Sequence, residues 1–236
     1  MRPLVLDLFS GAGGAAMGYS QSGFRVIGVD NDLKPLRHYP FPYLCADALE
    51  TLSALHDGRR LEWSDGQSYG LEDFNAIHAS PPCQWASRAT AWRGDRQRHH
   101  NLIPATRAAL NSLGAIPYII ENVREARLHL ESPFMLCGTM FGENYQSHRY
   151  FEVAHSPVVF FSPATCQHSS NNVSRDHGGK YPESALRDAL EVQWMTVRET
   201  RQAISPTYTK FIGQQLLAFL GVTKPLVEKA KVVGTV

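Results

Sequence analysis

Nowhere in this chain is there an unbroken run of about 18 apolar residues, so the sequence offers no membrane-spanning helix. Charge of one sign is missing too: the formal net charge is +1. No bulk field marks the chain as a partner of polyanions, and any nucleic-acid surface must be a local patch. The cysteines, Cys45, Cys83, Cys137 and Cys166, include no C-x-x-C pair. That spacing argues against a zinc site and against a disulfide framework, and leaves reduced thiols, at least one of which could work as a thiolate. The G-x-x-x-x-G-K-[ST] loop is absent, which removes the usual sign of phosphoryl transfer. The opening MRPLVLDLFSGAGG enters a strand-like run directly, without the longer apolar stretch and cleavage site of a secretory leader. The cytoplasm is the expected location.

What is present is enough apolar material, 43% of 236 residues, to fill a sizeable core in one large domain with at most a small appendage. RPLVLDLF reads as a buried strand ending at Phe9, and SGAGGAAMGYSQSG as a glycine turn and a helix stopping near Gly23. FRVIGVDND is a second strand with Asp30 at its end, and PYLCADAL a short third one closing on Asp47. Residues 56–73 are polar and glycine-punctuated, a surface loop or hairpin. FNAIHAS is the next strand, NLIPATRAALNSLG a helix, and IPYIIENV a strand that delivers Glu121 and Asn122 at its end. Further on, RYFEVAH reads as a strand, residues 162–182 as a polar loop and ESALRDALEV as a short helix. In SPTYTKFIGQQLLAFLG, Ser205 suits an N-cap, Pro206 the first turn and Gly221 the stop, with Tyr208, Phe211, Ile212, Leu216 and Phe219 on one apolar face. Strands and helices that alternate in this way predict an α/β fold with a doubly wound, mostly parallel sheet. Ligands of such sheets bind at the carboxyl ends of the strands, where these polar residues fall.

Small residues after a first strand let backbone amides approach a ligand at a helix N-terminus, although glycine turns also serve packing. Asp30 suits a ribose diol, Asp47 an adenine amino group, and Phe9 the face of a purine. Together they describe an adenosine-containing ligand, a dinucleotide or S-adenosylmethionine. In IHASPPCQWAS two prolines stop an apolar run just before a thiol, either to aim Cys83 in a cleft or merely to end a strand. Downstream, Arg88, Arg93, Arg96 and Arg98 stand against a single acid, Asp95, with Trp85 and Trp92 among them. A charge run of this kind is commonly a solvated loop, but following a candidate nucleophile it would suit a phosphate backbone. Glu121, a carboxylate at the end of a buried strand, is costly unless it has a partner or a role.

Taken in order, DLFSGAGG, GVDND, ADA, SPPCQ, ENV and HRYFE resemble the carbon-5 cytosine DNA methyltransferases, firmly over residues 3–155 and more loosely over 194–221. The resemblance implies a Rossmann-like S-adenosylmethionine-dependent fold in a compact, phage-type enzyme, with a methyl group passed to carbon 5 of a flipped-out cytosine in double-stranded DNA. Cys83 would attack carbon 6, Glu121 would hold and protonate ring nitrogen 3, and Arg149 would contact the carbonyl oxygen. Phe9, Ser10, Gly11, Ala12, Gly13 and Gly14 would surround the donor, Asp30 and Asn31 its ribose, Asp47 and Ala48 its adenine. Pro82 would shape the junction between donor and target, and Gln202 would close the donor site. Gln84, Arg88, Arg93, Arg96 and Arg98, in the loop that closes over the base, would contact DNA. The implied organisation is a catalytic core over 1–155, a very small target-recognition region over 156–193 and a segment from 194 to 236 that returns to the core. The expected partner is duplex DNA, with no metal and no membrane, in a monomer of a bacterial or phage-infected cell.

Three departures from the family pattern stand out. Ser147 occupies the place of a second arginine in SHRYF, and the recognition region is short. Arg201 and Gln202 replace a Gly-Asn pair. Arg201 is then a surface residue, or it accommodates a donor with an extra carboxylate. The same chemistry on single strands or a free cytosine nucleotide, and an inactive DNA or donor binder, are the competing readings; an NAD-dependent oxidoreductase has no support from PPCQ or ENV.

Overall fold

The computed structural model describes residues 2–86, 100–156, 164–174 and 183–222. The chain opens with β1 (Leu4–Leu8), α1 (Gly14–Ser22), β2 (Arg25–Asp30), α2 (Leu33–Leu36), β3 (Tyr43–Cys45) and α3 (Ala48–His56). A short antiparallel hairpin follows, β4 (Leu61–Glu62) and β5 (Ser68–Tyr69), where the sequence is polar and rich in glycine. Then come β6 (Ala76–Ala79), α4 (Ile103–Ser112), β7 (Tyr118–Val123), β8 (Phe134–Leu136), β9 (Tyr145–Gln146) and β10 (Arg149–Ala154). The last described elements are β11 (Val173–Ser174), α5 (Glu183–Ala189), α6 (Val197–Thr200) and α7 (Pro206–Phe219).

Seven strands form one sheet in the order β3-β2-β1-β6-β7-β10-β8. The pairings from β3 to β7 are all parallel, and β10 runs antiparallel to both β7 and β8. The expected mostly parallel sheet is therefore the one observed. Strand order reverses across β1 and β6, and it is at such a switch point that the carboxyl edge opens into a crevice. All five residues of β1 are buried, as a strand covered on both faces requires. Val5 belongs to a core layer shared with α1 and α7, while Leu4, Leu6 and Leu8 belong to the opposite layer, shared with α3 and α4.

α7 is the element that returns from the end of the chain to the core. Thr209 Oγ1 donates to Ala15 O of α1 at 2.8 Å, which two helices can manage only at very close approach. Gly18 makes that approach possible, because a Cβ there would collide with Pro206 O, Thr209 Oγ1 and, at 2.6 Å, Lys210 N. Two of these are backbone atoms, so no rotamer change relieves the clash. Gly18→Ala should therefore destabilise the protein by about 2 kcal/mol, even after a helix-propensity gain of about 1 kcal/mol. A urea midpoint equal to that of the parent would refute this account of the contact.

Some details differ from expectation. β1 ends at Leu8, one residue early, because Phe9 turns into the left-handed region at φ 58°. Ser205 occupies the N-cap position of α7 without making a side-chain cap bond, and its hydroxyl is buried. Phe219 is 38% exposed, so the buried face of α7 rests on Tyr208, Ile212 and Leu216, with Phe211 half-buried.

Candidate functional site

Two groups of side chains meet along the carboxyl edge of the sheet. The first is the turn between β1 and α1. Phe9, Gly11 and Gly13 all take positive φ (58°, 51° and 88°), the conformation in which successive backbone amides can face one point. Such a φ is costly for Phe9 and persists only where its surroundings impose it. Gly13 caps α1 with no side-chain hydrogen bond, so no side chain satisfies the amides at the positive end of the helix through the cap. A Cβ on Gly11 would meet nothing within 4 Å, so this stretch of backbone faces open space. The hydroxyl of Ser10 is buried without a hydrogen-bond partner.

Asp30, at the end of the adjacent β2, braces the turn: its Oδ2 accepts from Gly11 N and its Oδ1 from Asp32 N, each at 2.9 Å. Burial raises the Asp30 carboxyl above its usual range, against the lowering pull of these amides. Asp47 caps α3, with Oδ1 accepting from Leu49 N at 2.8 Å and Glu50 N at 3.0 Å. Its capping duty uses one carboxylate oxygen. Ala48 is buried and Asn31 exposed beside them. Ala12 is held from behind, its carbonyl accepting from Trp194 Nε1 at 2.8 Å, a tie that no motif announces.

The second group follows β6. Pro81 is buried, and its carbonyl accepts from Asn122 Nδ2 at 2.9 Å. That bond anchors the chain two residues before Cys83, whose carbonyl in turn closes a turn with Ala86 N at 2.9 Å. Cys83 is half-buried and Pro82 exposed. Glu121 and Asn122 are neighbours on β7 and so point to opposite faces. Asn122 takes the prolines, and Glu121 takes Arg149. Because β10 is antiparallel, its first residue lies at the edge where the parallel strands end, with Arg149 opposite Val123 and Phe151 opposite Glu121. Arg149 and Glu121 thus share one face as diagonal neighbours, with Nε 3.4 Å from Oε1.

Both are nearly inaccessible, Glu121 at 5% and Arg149 at 7%. Burial alone would lower the Arg149 pKa; the negative forms of Glu121, Tyr145, Cys83 and Tyr208 outweigh it and raise it. Thiol, carboxylate and guanidinium form one electrostatic unit. Gln84 and Trp85 follow, half-buried, with Trp85 edge-on to His129 at 4.7 Å between ring centroids. Arg88, Arg93, Arg96 and Arg98 lie outside the described residues. Arg201 and Gln202 are exposed in the turn after α6, while Ala203 and Ile204, next in the chain, pack over Gly14.

Behind the site sits a polar network that sequence reading did not single out. Asp7 and His78 are register partners on β1 and β6, both fully buried. His78 is held at Nδ1 by Tyr19 Oη (3.0 Å) and at Nε2 by Ser80 Oγ (2.8 Å), and burial drives its pKa down to about 3. Burial raises the Asp7 pKa to about 8, although the Tyr39 hydroxyl donates to it at 3.3 Å. The folded protein thus holds a proton on Asp7 that the unfolded chain releases near 3.8, so this group costs stability as pH rises from there to about 8. Neutral His78 works the other way, gaining stability as pH rises from about 3 to 6.5. The two slopes cancel between about pH 4 and 6.5. Above that, Asp7 alone should lower stability by about 1.4 kcal/mol per pH unit until its own pKa. Unfolding curves at several pH values should show the decline, and Asp7→Asn should flatten it.

A further cluster departs from expectation. The cysteine spacing argues against a metal, yet the fold brings ligand atoms of Cys137, His148, Cys166 and His168 within 4.8 Å of one another. They come from three stretches of chain far apart in sequence, one of which supplies both Cys166 and His168, and a search for paired cysteines cannot detect such a set.

The family model for C-5 cytosine-specific DNA methylase matches residues 4–135 of the 236. Among solved structures, the chain is similar to a protein of E. coli described as a DNA modification methyltransferase encoded within a prophage. That pair is 12% identical with a TM-score of 0.57, over 93% of this chain and 99% of the other. A methyltransferase of Entamoeba histolytica, EhMeth, is 11% identical with a TM-score of 0.54, over 93% and 99% of the two chains. At these identities the likeness is one of fold. No curated protein matches the sequence. No helix among the described residues is long and apolar enough to cross a membrane.

Proposed function

The chain belongs to the C-5 cytosine-specific DNA methylase family, and from that premise we propose that it methylates carbon 5 of a flipped-out cytosine in duplex DNA, using S-adenosylmethionine and a covalent adduct on Cys83. One observation carries the reading: the buried Arg149–Glu121 pair, in electrostatic contact with Cys83, lies on the same sheet edge as the glycine turn.

The turn suits the donor. Gly11 borders open space, the Ser10 hydroxyl is buried and unpartnered, and Asp30 and Asp47 stand at the ends of the next two strands. Phe9 to Gly14 would hold the methionine part of the donor, Asp30 and Asn31 its ribose, Asp47 and Ala48 its adenine, with Gln202 at the margin and Pro82 between donor and target. When bound, S-adenosylmethionine supplies an electrophilic methyl group.

The Cys83 thiolate adds to carbon 6 of the cytosine. Glu121 delivers a proton to ring nitrogen 3, so that negative charge does not accumulate on the ring, and carbon 5 becomes nucleophilic. Arg149 donates to the carbonyl oxygen and keeps Glu121 in place. Once carbon 5 carries its new substituent, loss of the proton from that carbon expels Cys83 and restores the ring. Asn122, through Pro81, holds the backbone from which the thiol projects. Gln84 with Arg88, Arg93, Arg96 and Arg98 supplies DNA contacts around the everted base. Residues 1–155 are read as the catalytic core, 156–193 as the target-recognition region and 194–236 as a returning segment. The enzyme works as a monomer in the cytoplasm of a bacterial or phage-infected cell.

A duplex carrying 5-fluorocytosine in mixed contexts tests this, because fluorine blocks the final elimination. Incubation with S-adenosylmethionine should leave a denaturation-resistant protein–DNA complex. An adduct formed only on single strands or free nucleotide would move the substrate. No adduct on any of them, despite donor binding, would sink the covalent mechanism.

A further inference from the structure

Cys137 directly follows β8, His148 immediately precedes β10, and Cys166 and His168 lie in the segment leading to β11. In sequence they are far apart: 31 residues separate Cys137 from His168, and 18 separate His148 from Cys166. In space Cys137 Sγ is 3.3 Å from His168 Nε2, His148 Nε2 is 3.3 Å from Cys166 Sγ, and Cys166 Sγ is 2.8 Å from His168 Nε2. In a tetrahedral zinc site, with Zn–S about 2.3 Å and Zn–N about 2.1 Å, neighbouring sulfur and nitrogen donors stand about 3.6 Å apart. The quartet has nearly these dimensions before any ion draws it into shape.

The donor set is selective. Two sulfurs and two imidazoles suit zinc and disfavour magnesium or calcium, which prefer oxygen. Outer partners are present as well: Thr139 Oγ1 lies 3.4 Å from Cys137 Sγ and 3.5 Å from Cys166 Sγ, close enough to donate to either thiolate. Gln167 N donates to the same hydroxyl at 3.3 Å. We propose that the chain binds one structural zinc ion through Cys137, His148, Cys166 and His168. Binding releases the two thiol protons, and the two thiolates neutralise the ion's charge. Four protein ligands close the coordination sphere, so the ion takes no part in methyl transfer. It fastens residues 164–174, where Val173 is the one buried residue, to the end of β8 and to the residue before Arg149.

The full chain, expressed with zinc in the medium and desalted, should carry one zinc per molecule by elemental analysis. Cys166→Ser and His168→Ala, substitutions at the more exposed ligands, should each lower the retained metal by roughly tenfold or more. A second measurement needs no variant: exchange into cobalt(II) should give thiolate-to-cobalt charge-transfer absorption and the intense visible bands of a tetrahedral ion. Substoichiometric zinc together with a Cys137–Cys166 disulfide by peptide mass mapping would overturn the proposal. So would cobalt spectra without the thiolate bands, or full metal content in both variants.

Discussion

Cys83→Ala should lower methyl transfer by at least about 10⁴-fold and abolish the 5-fluorocytosine adduct, with donor affinity changed less than about twofold. The argument rests on where the residue stands. Cys83 is half-buried on a loop beyond β6, outside both apolar layers, so removing its sulfur opens no core cavity. Stability should stay within about 0.5 kcal/mol of the parent. The prolines keep the backbone in place whether or not the thiol is there, because the hydrogen bond that fixes them runs from Asn122 to Pro81. Single-turnover transfer of labelled methyl, with donor binding by calorimetry on the same preparation, separates chemistry from folding. A rate within tenfold of the parent would remove Cys83 from the mechanism.

Glu121→Gln should have the second largest effect, and on two readouts at once. Transfer should fall by about 10²- to 10⁴-fold, the usual worth of a positioned proton donor. Stability should also fall, by about 3–5 kcal/mol, because Arg149 at 7% exposure would be left as an uncompensated buried charge. Adding Arg149→Met to Glu121→Gln separates the two effects. The double variant should regain much of the lost stability while remaining as slow as the single one, an interaction that unfolding curves and rates report independently. If the stability loss appeared without a rate loss, Glu121 would be an ion-pair partner and nothing more.

Much of this was legible in the order of the residues. The glycine turn, the acids at the ends of β2 and β3 and the thiol behind two prolines announce themselves because each sits where an apolar run stops. Their meeting at one edge follows from the alternation of strands and helices. What could not be read depends on direction and contact. That β10 runs antiparallel, and so brings Arg149 to the same edge, is invisible in HRYFE taken alone. ENV places Glu121 and Asn122 at a strand end without saying which of them faces the thiol's loop. The Asp7 and His78 pair reads as ordinary strand residues until burial and register are known. The thiol–imidazole quartet is assembled from three separate stretches of chain and contains no paired cysteines.

The pairing of β7 with β10 makes the length of one short connection a matter of chemistry. Side chains alternate along β10, so Arg149 and Phe151 share one face with Glu121, while Glu152 points the other way and grips Arg107 of α4 through two hydrogen bonds. Each face therefore holds a charged residue with a fixed partner. Deleting Ser147 or inserting one residue beside it, if the strand slid to absorb the change, would carry Arg149 away from Glu121 and Glu152 away from Arg107 in the same movement. Two ion pairs, one buried and one half-buried, would be lost for one miscounted residue. Lineages and libraries of this enzyme should accept substitutions around Ser147 far more readily than a change in the number of residues there.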